Sequence, residues 1–256
     1  MSSPLRAHTH VTVSSLSRDR AGGFTLVEIA IAIFIITLLL GSILVPLHTQ
    51  VEQRQIAETQ KMLEDIKEAL IGHAIAKGYL PCPDRTSGGA GTANDTANDG
   101  VEDFNTGTGV CFSTTATGNV PWVTLGLGAS DTWANRFRYR VHSAFAQRSP
   151  ATPFNLSTAA NLAVRVSALG TNLTDSAVAV IISHGRNGLG AIGSQTNILN
   201  PTPSSMDETA NYSNTNNYVF HVQTAVGSTA GEFDDLVTWL GRYSLYNRMV
   251  AAGKLP

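Results

Sequence analysis

The spacing of apolar and polar residues changes twice along the chain. From Ile29 to Leu47 there is no charged residue, and Phe24 to Val27 extend this apolar run toward the N-terminus at the cost of one acid, Glu28. About 20 helical residues suffice to cross the hydrocarbon of a bilayer, so the run predicts a membrane helix over 24–47. Beyond it, Ile56, Leu63, Ile66, Leu70 and Ala74 recur at helical spacing, while Glu52, Arg54, Glu58, Lys61, Glu64, Lys67 and Glu68 fall mostly elsewhere. That is the pattern of an amphipathic helix, continuing the membrane helix over 48–80. It should stop near Gly78, since Pro81 and Pro83 prevent continuation. Pro46 lies inside the apolar part, where it removes one backbone hydrogen bond and should kink or locally melt the helix.

Past residue 80 the pattern shortens to strand-like runs at Arg136 to His142, Asn161 to Ala168, Ala177 to Ser183 and Tyr218 to Thr224, separated by Gly-, Asn-, Ser- and Pro-rich connections. Leu236 to Ala252 reads as a C-terminal helix, with Asp234 and Asp235 at its start in capping positions. The simplest assembly is an α+β domain over 81–256, an antiparallel sheet packed on the long helix.

Composition and charge narrow the function. Of the 256 residues 43% are hydrophobic and 14% charged, enough for one membrane segment plus one cored domain. A net charge of -2 lacks the basic excess that binds phosphate backbones, so nucleic acid is not an expected partner. Arg136, Arg138 and Arg140 alternate along a strand and read as a solvated strand face. Before the apolar run, Arg6, Arg18 and Arg20 outweigh Asp19, which keeps the N-terminus cytoplasmic and puts everything after Leu47 outside. His48-Thr49-Gln50 offers no site for a secretory signal peptidase.

On that outer side thiols oxidise, and Cys82 and Cys111 are expected to form a disulfide. Closing a loop of roughly 30 residues stabilises a fold by about 3 to 4 kcal/mol in the chain-entropy treatment. Within the loop, Asp95, Asp99, Glu102 and Asp103 surround Gly100 and supply oxygen ligands of the kind calcium takes. Their spacing is not that of an EF-hand, so the expectation is a solvated acidic turn and no metal. Ser183-His184-Gly185 follows an apolar strand and raises the question of a hydrolase. Adjacent strand residues point to opposite faces, and no nucleophile elbow, zinc motif or P-loop accompanies them. They are expected to end a strand, with no enzyme and no cofactor.

Glu28 is the unusual residue, because a carboxylate in an apolar membrane helix is costly and calls for a partner. Gly22-Gly23-Phe24-Thr25-Leu26-Val27-Glu28 resembles the class III signal of type IV prepilins and type II secretion pseudopilins. The resemblance implies that residues 1–23 are a cytoplasmic leader, that prepilin peptidase cuts between Gly23 and Phe24, and that the new Phe24 amine is methylated. It further implies that Glu28 meets the N-terminal amine of a neighbouring subunit. Two charges that are each expensive in a low-dielectric bundle become tolerable when paired, and the pair sets register. Pilins also carry a proline near the depth of Pro46.

The implied fold is pilin-like. The implied partners are other pilin or pseudopilin subunits and the assembly platform of a bacterial inner membrane, with the outer domain periplasmic until the subunit enters a pilus or pseudopilus filament. Asp131, Trp133 and the strand after them resemble the Asp-x-Trp-Gly element of pseudopilins, with Ala134 where a turn glycine is usual. Removing 23 of the 256 residues leaves 233, large for a major pseudopilin, which favours a minor subunit. Retention of Glu28 argues against the tip-most minor pseudopilin. The alternative is a single-pass membrane-anchored binding or sensor protein that never polymerises, with Glu28 a chance acid near the cytoplasmic edge.

Overall fold

The computed structural model describes residues 23–88, 95–112, 116–225, 227–228 and 231–255, without the side chains of 40–48. It divides into two compact units at Gln50/Val51. Its elements form an α+β, pilin-like layout of N-terminal helix, sheet domain and C-terminal helix.

Helix α1 spans Leu26–Lys77, and its helical assignment runs through Pro46 without the local melting expected there. In the first unit the described apolar side chains, from Phe24 to Leu39, are exposed. Among the described residues no helix is long and apolar enough to cross a membrane. The side chains of 40–48, which complete the expected apolar run, lie outside the described residues.

In the second unit the amphipathic stripe packs as its spacing predicts. Leu63, Ile66, Leu70, Ile71 and Ala74 are buried and Ile56 is partly buried. The helix ends at Lys77 because Gly78 takes φ 89°, a left-handed conformation open to glycine, and its N–H bonds the Ala74 carbonyl at 2.7 Å.

The sheet is built around β4 (Asn172–Ser183), whose continuous run Ala177 to Ile182 is fully buried, as a strand covered on both faces must be. The C-terminal half of β4 pairs antiparallel with β2 (Arg138–Val141) and β6 (Leu236–Gly241), and its N-terminal half with β3 (Leu162–Arg165). β1 (Thr117–Asn119) adds to β2. β5 (Asn217–Val219) adds to β3 in parallel, so the sheet is mixed rather than wholly antiparallel. Ala179 and Ile181 join the cluster under α1 with Tyr139, Val141, Leu240 and Met249. Val180 and Ile182 face the other way, with Leu162, Val164, Tyr218 and Val237.

The C-terminal expectation needs correction. Only Arg242–Ala251 is helical (α4), and Leu236 to Gly241 are β6. Leu-Val-Thr-Trp-Leu carries β-branched and aromatic residues that suit a pleated surface, and the open side of β4 supplies the partner that decides the matter. Asp234 and Asp235 therefore precede a strand and cap no helix. Two short helices, α2 (Trp122–Leu125) and α3 (Met206–Tyr212), escape the sequence pattern; α3 is capped by Ser205, whose side chain accepts from the Glu208 amide.

Candidate functional site

Cys82 and Cys111 are joined in a disulfide across 29 residues. The acids of the enclosed segment do not form a solvated turn: Asp95, Glu102 and Asp103 are buried, as is Asp84 just before them, and Asp99 alone is exposed. Each is taken up locally. Asp84 accepts from the amides of Asn98 (2.9 Å) and Gly100 (3.1 Å), and Asp103 from that of Arg85 (2.6 Å). Asp95 pairs with Arg85. Glu102 accepts from Arg148 Nη1 at 2.7 Å and from the Cys82 amide at 3.1 Å, while the Arg148 guanidinium lies 3.7 Å over the Phe104 ring. Backbone amides and two arginines do the work expected of solvent, because a Gly- and Asn-rich loop leaves many backbone donors to satisfy. Burial raises Asp84 to about 7 and Asp103 to about 6.

Ser183 ends β4 and His184 follows it, and each bonds a different aspartate. Ser183 Oγ donates to Asp131 Oδ2 at 2.6 Å, and His184 Nδ1 lies 3.2 Å from Asp235 Oδ1. A nucleophilic serine needs the histidine as its own partner; here both residues anchor loops. Asp131 also accepts from the amides of Trp133 (3.0 Å) and Asn135 (2.9 Å), closing a turn in which Ala134 sits at φ 61°.

Among the described residues, Glu208, Asp234 and Asp235 are the group of carboxylates that converge closely enough to hold a metal ion, one oxygen from each lying within 4.8 Å of the others. Asn211 donates to Asp235 at 2.8 Å and the Asn187 amide to Asp234 at 2.8 Å, whereas Asp234 Oδ1 is buried without a partner. Burial first, then the neighbouring carboxylates, raise Asp234 to about 7, and Glu208 is raised for the same reasons. Asp234 is thus only partly ionised at neutral pH.

Arg136, Arg138 and Arg140 are not a solvated face. Arg138 donates to Asn214 and Arg140 to Asn216, each at 2.7 Å, so the segment after α3 closes over them. Arg136 lies 3.9 Å over Trp122. Burial lowers the pKa of all three.

At the other end, the chain enters α1 through Gly23, Phe24 and Thr25. The Glu28 amide bonds Thr25 Oγ1 at 3.3 Å and the Thr25 carbonyl at 3.1 Å, so Thr25 acts as N-cap and Glu28 occupies the first turn, where the helix dipole favours an acid. Thr25-Leu26-Val27-Glu28 has the spacing of a capping box. Phe24 is 79% and Leu26 88% exposed, and Val27, Ile31, Phe34, Ile35 and Leu38, on different faces of the helix, are exposed as well. A helix apolar all round belongs inside a bilayer or among other helices. Residues 18–44 match the family model for the prokaryotic N-terminal methylation motif. The chain carries a prepilin-type signal. No curated protein and no solved structure matched the chain.

A prepilin-type signal implies processing by prepilin peptidase and assembly with pilin-like subunits, and it indicates a structural subunit rather than an enzyme. It fits a membrane-anchored N-terminus with a pilus-type extracellular domain. The signal was legible because its residues are contiguous. Asp84, Arg148 and Glu208 were not, since their partners lie 14, 46 and 21 residues away and no spacing rule connects them.

Proposed function

We propose that the chain is a structural subunit, and a minor one, of a type IV pilus or type II secretion pseudopilus. Prepilin peptidase cleaves it between Gly23 and Phe24 and methylates the Phe24 amine, and the mature subunit assembles through the helix that begins at Leu26. The methylation-motif match over 18–44 carries this reading. The exposed apolar side chains described between Phe24 and Leu39 support it, because lipid before assembly and neighbouring helices afterwards would cover them. In the filament Glu28 pairs with the N-terminal amine of an adjacent subunit, which offsets the cost of burying either charge and fixes the axial step. A disulfide-closed loop suits delivery of the domain over 81–256 to an oxidising compartment. The size of the mature chain favours a minor role.

One observation favours a second reading, a membrane anchor that never polymerises: the Thr25 cap gives Glu28 a local place in the first turn without any neighbour. Replacing Glu28 by Leu in the native host separates the two. The expected outcome is normal insertion into the membrane fraction together with loss of the protein from mechanically sheared filaments. Wild-type amounts of the E28L protein in the sheared fraction would refute the filament reading.

A further inference from the structure

A pocket of about 540 Å³ opens in the outer domain beside β1 and β2, and its lining among the described residues includes Arg85, Arg136, Arg138 and His184 but no aspartate or glutamate. Arg85 is paired with Asp95. Among the described residues, neither Arg136 nor Arg138 has a carboxylate within ion-pair distance. Arg136 is only 5% exposed; its Nη2 donates to Asn197 at 2.6 Å, and its Nε and Nη1 are buried without partners. Arg138 Nε is likewise unpartnered, as is Nε2 of the fully buried His184, whose other ring nitrogen is held by Asp235.

Cations withdrawn from water without a close counter-charge are expensive, and burial pushes the pKa of both arginines down. The acid that acts most on Arg136 is Asp84, itself raised to about 7 and so only partly ionised at neutral pH. Guanidinium groups backed by aromatic rings and flanked by asparagines are the arrangement that receives planar or tetrahedral oxyanions. The volume falls in the range of small-ligand sites, which runs from about 300 to 1,000 Å³.

We propose that this pocket binds the oxyanion, phosphate or carboxylate, of a sugar-sized anionic ligand between Arg136, Arg138 and Arg85. The site is independent of how the N-terminal helix assembles.

The test is isothermal titration of the full-length chain in detergent with inorganic phosphate, and separately with galacturonate, at constant ionic strength. Saturable one-site binding of either anion is expected; phosphate alone would mark a phosphoryl ligand and galacturonate alone a carboxylate. Arg138→Gln should weaken binding roughly tenfold, the loss of one charged hydrogen-bonding group. Arg140→Gln, on the same strand but outside the pocket, should not. If R138Q proves unfolded by circular dichroism, Arg85→Gln at the more exposed rim serves in its place with the same expectation. Absence of saturable binding by both anions, or equal weakening by R140Q, overturns the proposal.

Discussion

Ala134 holds φ 61° in the turn closed by Asp131, a conformation in which an L-side chain is strained by about 1–2 kcal/mol. The sequence marked this residue as standing where related elements carry glycine, and the backbone gives the physical reason. Ala134→Gly relieves the strain at a smaller entropic cost and should raise the stability of the chain by up to about 1 kcal/mol, read as a higher midpoint in urea. A second prediction belongs to the buried acids. Asp84 and Asp234 are raised to about 7 and Asp103 to about 6, so the native state holds their protons more tightly than the unfolded chain. Their stabilisation is complete below the ordinary carboxylate range near 4 and is lost as pH rises through 6 to 7. The thermal midpoint should therefore fall between pH 5 and pH 8. Asp234→Asn puts an amide beside Glu208 and Asp235 and should flatten that fall; an unchanged slope would show that Asp234 does not hold the proton.

Among the elements, those legible in the sequence were the ones whose partner is implied by their own pattern. Leu63, Ile66, Leu70 and Ala74 of α1 lie on one face because helical spacing puts them there, and the buried run of β4 announces a strand covered on both sides. β6 was not legible, because Leu236 to Leu240 fits either a strand or a helix until β4 presents its open side. The arginines of β2 were placed on one side correctly, but the segment that covers them, Tyr212 to Asn216, is far away in the chain. Leu70 is fully buried, and Leu70→Ala should cost about 2–5 kcal/mol, measured by chemical denaturation. Replacing both Cys82 and Cys111 by serine should cost about 3–4 kcal/mol by the same measurement, since the loop then regains its freedom.

For the whole molecule, the contrast between the two units carries the argument. One is a cored domain whose buried acids and disulfide are satisfied largely within itself; the other presents a helix whose apolar side chains, among the described residues, are exposed. Such a helix suits a lipid or helix-lined surrounding, and the methylation motif stands at its head. The direct measurement is intact-mass spectrometry with N-terminal peptide mapping of the membrane-fraction protein from its native host. The account predicts a mature chain beginning at N-methylated Phe24; an uncut chain retaining residues before Gly23 would contradict it.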